Sequence, residues 1–144
     1  MKIDDIDRMI LKELAKDSRL SMRELGKKVH MSSPAVTERV RQMESFGVIK
    51  GYSIETDLKK LGYPIECIVE ATIKNGEYDR FKKYIAGLLC VDFCYRIAGQ
   101  ACYIIKIHTE SIEKVEEFIN DTIPYASTVT HIVLSRIETS NPAL

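Results

Sequence analysis

The sequence predicts an α+β chain in two parts, a three-helix, winged-type helix-turn-helix unit followed by a ferredoxin-like βαββαβ unit. Three observations lead there. From Ile3 to Met43, apolar residues recur at spacings of three and four. From Ile65 onward, alternating apolar runs take over and are twice interrupted by helical stripes. Between the two, Asp57 to Tyr63 with Lys59, Lys60 and Gly62 reads as a turn-rich linker that Pro64 closes. The boundary is placed near residue 60, giving spans of 1–60 and 61–144.

The first helix is signalled by Ile3, Ile6, Ile10 and Leu14, which share one face. Asp4, Asp5 and Asp7 occupy its first turn, where carboxylates meet the positive end of the helix dipole. The second helix starts at Ser21, because Ser21 and Glu24 have the spacing of a capping box. Leu25 and Val29 continue its apolar face. The third helix opens with Ser32-Ser33-Pro34, a serine cap with proline in the first turn. Val36, Val40 and Met43 form its buried stripe, and Gly47 after Phe46 stops it. Ile49 to Glu55 then reads as a short extended stretch.

In the second part, Ile65–Ile73 reads as a strand with Cys67, Val69 and Ala71 on one side. Tyr78, Phe81, Ile85 and Leu88 make a helical stripe. Val91–Ala98 and Ala101–His108 read as strands joined through Gly99-Gln100. Ser111 caps a helix carrying Ile112, Val115, Phe118 and Ile119, and Val129–Ile137 reads as the last strand. Such a fold covers only one sheet face with helices. The strands are apolar on both sides, for instance Ile104 beside Ile105, and Ile132 and Leu134 beside Val129 and Val133. The bare face therefore predicts a cover, most economically a second copy of the chain related by a two-fold axis.

Composition bounds the function. The 144 residues are 45% hydrophobic and 29% charged, which fits a globular protein and neither a disordered chain nor a fibre. No apolar run reaches bilayer length, and the acidic N-terminus lacks a secretory signal, so a cytoplasmic location is expected. Net charge is zero, but the first 50 residues hold eleven basic and eight acidic side chains. Between Arg19 and Lys50 there are seven basic and three acidic. That asymmetry points one end of the chain at a polyanion.

The outward positions of the third helix are Ser33, Ala35, Thr37, Glu38, Arg39, Arg41 and Gln42. They are short, polar and basic, as suits a surface that reads base edges and grips phosphate. A small helical dimerisation module is the blander alternative. Arg39 and Arg41 are the candidate phosphate or guanine contacts; Thr37, Glu38 and Gln42 are further base-edge candidates. Arg23, Ser32 and Ser33 are candidates for backbone phosphate. A zinc site can be drawn from Cys90, Cys94, Cys102 and His108, but the cysteines lie in apolar strand-like sequence without a CxxC pair. Buried structural thiols are the expectation, with no metal and no cofactor.

The chain resembles the Lrp/AsnC family of transcription regulators and, within it, the LrpC type of Gram-positive bacteria. The resemblance rests on Asp4–Leu14, Asp17–Gly26, Ser33–Arg41, Glu44–Tyr52 and Arg96-Ile-Ala-Gly99. It implies a helix-turn-helix motif at about 22–41, with the helix at 33–46 in the major groove of double-stranded DNA. It also implies a homodimer through the C-terminal sheets, assembling into tetramers or octamers that bend or wrap DNA. Family members often sense an amino acid near the hairpin, which here is Gly99, Gln100, Ala101, Cys102 and Tyr103. Many members have an acidic residue where this chain has Cys102, which removes the usual carboxylate partner for a ligand ammonium. Two other functions compete with a sequence-preferring regulator. One is a nucleoid-like architectural protein, which zero net charge argues against. The other is a tetrapyrrole decarboxylase of similar fold, for which His108, His131, Arg96 and Arg136 would have to share one pocket.

Overall fold

The computed structural model describes residues 2–137 and divides at Glu55/Thr56 into two compact units. The last seven residues of the expected span 61–144 lie outside the described residues.

The first unit holds α1 (Asp5–Lys16), α2 (Met22–Lys28) and α3 (Ser33–Ser45). Their apolar stripes meet in one core of Ile10, Leu14, Leu25, Val29, Val36, Val40 and Met43. Each helix begins at a side-chain cap. Asp4 and Asp7 form a reciprocal capping box on α1, Ser21 and Glu24 another on α2, and the Ser32 hydroxyl accepts from Ala35 N–H on α3. The turn between α2 and α3 passes through His30 at φ 56°, and Met31 N–H donates to the Gly26 carbonyl at 2.9 Å. Gly26 is required there, because a Cβ would stand 2.7 Å from the Met31 carbonyl oxygen. After α3, Ile49 N–H donates back to the Met43 carbonyl, and the chain from 50 to 55 joins no strand ladder among the described residues. Tyr52 anchors it by donating to Glu44 at 2.7 Å.

The second unit runs β1 (Ile65–Ile73), α4 (Tyr78–Ala86), β2 (Val91–Arg96), β3 (Tyr103–Thr109), α5 (Ile112–Thr122) and β4 (Ala126–Ile132). The sheet is antiparallel in the order β2-β3-β1-β4. Cys67, Val69, Ala71, Ile105 and Ile107 point from the central strands into a core with Phe81, Ile85, Val115 and Phe118. These alternate residues cover one face, as period-two strands require.

Three expectations need correction. The last strand spans Ala126–Ile132 instead of Val129–Ile137, since it starts as soon as buried Ala126 can fill a core position opposite Ile73. Val133 N–H still donates to Glu66, but β1 ends nearby and leaves 134–137 no strand to pair with. The hairpin is wider than a Gly99-Gln100 turn: β2 ends at Arg96, β3 starts at Tyr103, and Ile97 N–H donates to the Cys102 carbonyl. The bare sheet face is also less apolar than the sequence suggested. Tyr95 and Val129 are exposed there, but they share the face with the pairs Lys106–Glu66 (2.6 Å) and His131–Glu70 (2.9 Å), while Ile132, opposite Cys67, belongs to the helix-covered face.

Candidate nucleic-acid interface and effector region

On α3, burial of Val36, Val40 and Met43 turns Thr37, Glu38, Arg41 and Gln42 to solvent. Glu38 organises this face. Its carboxylate accepts from Arg41 through Nε (3.1 Å) and an Nη (3.2 Å), and from the Gln42 amide at 3.0 Å. These contacts hold the Glu38 carboxyl below the usual range, Arg41 contributing first and Gln42 second. Thr37 donates its hydroxyl proton to the Ser33 carbonyl at 2.8 Å, leaving its oxygen as an acceptor. Ser33 and Ala35 are half-buried at the start of the helix, Ser32 is exposed at the cap, and Arg23 is exposed on α2.

Arg39 departs from its expected place. It follows Val36 by three and precedes Met43 by four, so it flanks the buried stripe instead of facing outward. One guanidinium nitrogen donates to Asp4 (2.8 Å) and to Asp7 (2.7 Å), and the Asp7 side chain is only 2% exposed. The Asp4 carboxyl is lowered first by the Asp7 N–H and then by Arg39. Arg39 thus ties α3 to the capping box of α1, and its charge is already matched. The Asp4/Asp7 spacing is a local cap signal, but nothing in it points to Arg39, more than thirty residues away. Gly26 gave no comparable signal, because its role depends on a turn that closes only in three dimensions.

In the second unit the hairpin residues divide. Gly99 and Gln100 are exposed, Ala101 and Tyr103 are buried, and Cys102 is half-buried. The Cys102 Sγ accepts from Ile73 N–H at 3.5 Å and lies 3.6 Å from the Tyr78 hydroxyl. Arg96 stacks over Tyr78 at 4.5 Å. The Ile73 N–H first, then Tyr78, and more weakly the Arg96 charge, hold this thiol below its ordinary range. Burial pushes Cys67, Cys90 and Cys94 the other way. Gln100 and Ala101 also line a concavity of about 200 Å³ with Glu70, Thr72 and Ser127. His108 pairs with Asp92 and His131 with Glu70, so each histidine is engaged locally. Among the described residues, no three His, Cys, Asp or Glu side chains are placed to hold a metal.

The AsnC-type helix-turn-helix domain matches residues 3–44, and the Lrp/AsnC ligand binding domain matches residues 66–143. The chain belongs to the Lrp/AsnC family. It is 64% identical to the HTH-type transcriptional regulator LrpC of Bacillus subtilis over 141 residues, 98% of each chain. The solved structure of B. subtilis LrpC superposes with a TM-score of 0.95, covering 97% of this chain and 100% of that one. At 28% identity, E. coli AsnC gives a TM-score of 0.88 over 99% of both chains. A feast or famine regulatory protein of M. tuberculosis, complexed with L-methionine, gives 0.87 at 27% identity over 98% of both. This Lrp/AsnC chain is accordingly a DNA-binding transcriptional regulator of the LrpC type, and not an enzyme. Among its described residues no helix is long and apolar enough to cross a membrane.

Proposed function

We propose that this regulator reads the major groove of duplex DNA with the exposed face of α3. The observation that carries the reading is the Glu38–Arg41–Gln42 group, three polar side chains fixed on one exposed helical surface. Arg41 is the candidate for guanine or phosphate, Gln42 and Thr37 for base edges, and Glu38 for a cytosine amino group. Ala35 offers a methyl contact. Arg23, Ser32 and Ser33 hold phosphate, while Arg39 orients α3 from behind. The working unit is a homodimer joined through the bare sheet faces, where Tyr95 and Val129 lie exposed, and it assembles further into tetramers or octamers. It acts in the cytoplasm on the nucleoid.

An amino-acid-like effector is assigned to the hairpin, at Gly99, Gln100, Ala101, Cys102 and Tyr103. Cys102, whose thiol is held below its ordinary range, stands in place of the missing carboxylate as the partner of a ligand ammonium.

Fluorescence anisotropy on the regulator's own upstream DNA and on a shuffled duplex, across a salt series, tests the DNA reading. The upstream duplex is expected to bind at least about tenfold tighter, roughly 1.4 kcal/mol, and Arg41→Ala to erase that preference. Equal and steeply salt-dependent binding of both duplexes would point to an architectural role instead.

A further inference from the structure

At the far end of β3 from the hairpin, about 20 Å along the strand, a second cleft of about 210 Å³ opens beside α5. Its floor is apolar and aromatic. Phe118 is almost fully buried there, with Tyr84 and Leu88 beside it. Tyr63 forms a wall, its ring edge-on to His108 at 5.0 Å.

The rim is acidic, and the charges do not cancel. The Lys114 ammonium is bound to Glu117 at 2.7 Å, so that pair is neutral. The His108 ring and the Asp92 carboxylate hold each other at 2.5 Å. Glu110 and Asp121 also line the cleft; neither forms an ion pair among the described residues, and although the Glu110 charge reaches Lys114, that one ammonium faces three carboxylates. Burial pushes the Cys90 thiol up, so this lining residue adds no charge near neutral pH. Donors that would welcome an anion are already taken: the Thr109 hydroxyl donates to the Ser111 carbonyl, and the Tyr84 hydroxyl is shared with Thr122.

A net excess of carboxylates over an aromatic floor selects a ligand with a positive head and an apolar body. Ring faces attract cations, and low-dielectric walls focus the rim's negative field. An amino acid fits poorly, since its carboxylate would face Glu110 and Asp121. We propose that this cleft is a second ligand site, separate from the hairpin, for a small organic monocation such as an aromatic amine lacking a carboxylate.

The probe is phenethylamine, with 3-phenylpropionate as its anionic counterpart, titrated calorimetrically into the full chain at constant ionic strength. The variants are Glu110→Gln/Asp121→Asn at the rim and Gln100→Ala at the hairpin; all three positions are exposed, so each variant folds. Saturable binding of the amine, none of the carboxylate, an affinity at least about tenfold weaker in the rim variant, and no change in Gln100→Ala are expected. No saturable amine binding, equal binding of the anion, or full affinity in the rim variant would overturn the site. Loss in Gln100→Ala alone would overturn it too, by moving the amine to the hairpin.

Discussion

Replacing Arg39 by alanine removes an internal tie before it removes any contact with DNA. The buried Asp7 carboxylate would lose its cation, and such losses cost about 3–5 kcal/mol when a pair is fully buried. Arg39 retains some exposure, so Arg39→Ala is expected to destabilise by about 2 kcal/mol. Arg41→Ala, on the exposed face, should stay within about 0.5 kcal/mol. Urea unfolding of both variants beside the parent decides this, and equal midpoints for the two would contradict it. The sign with pH follows from Asp4. Its carboxyl is lowered in the folded chain, so its contribution is present above the unfolded value, about 3.9, and is lost as pH falls through the lower folded value. The stability advantage over Asp4→Asn should therefore begin to fade at about pH 4 and be gone only once pH is below the folded value. At Cys102 the lowered thiol predicts early alkylation. Iodoacetamide near pH 7.5 should modify Cys102 well before Cys67, Cys90 or Cys94, as peptide mapping would show.

At the scale of elements, the α2–α3 turn is the tightest point of the DNA-binding unit. Gly26→Ala would push a methyl to 2.7 Å from a backbone oxygen that has no freedom to move aside. A cost of about 1–3 kcal/mol is expected, with DNA binding falling even where the chain stays folded. Thermal melts and anisotropy on one sample separate the two effects. Caps and stripes made the helices legible in the sequence, because Ser21-x-x-Glu24 and Ser32-x-Pro34 are local signals. The limits of β4 and the hairpin were not legible. They depend on which backbone groups of β1 and β3 remain available, a long-range property that no window of residues carries. The α3 face lay between these cases. Periodicity exposed Thr37, Glu38, Arg41 and Gln42, yet placing Arg39 needed a partner more than thirty residues away.

For the whole molecule, the proposed assembly through the bare sheet face makes a prediction. A two-fold interface meets each substitution twice, so Val129→Lys would bring two new cations into the same contact. Light scattering should then report a monomer where the parent gives a dimer or larger, and affinity for paired half-sites should fall with it. An unchanged mass would move the interface elsewhere. A two-fold reader also predicts half-sites about 10 base pairs apart or a multiple of that, which footprinting can measure. The strand order has one more consequence. In β2-β3-β1-β4, only β3 and β1 have a strand on each side. Placed in deuterated buffer, the amides of Cys67–Ala71 and Tyr103–Ile107 should be the last to exchange. The free margins of β2 and β4 should label within the first time points, marking where the molecule breathes.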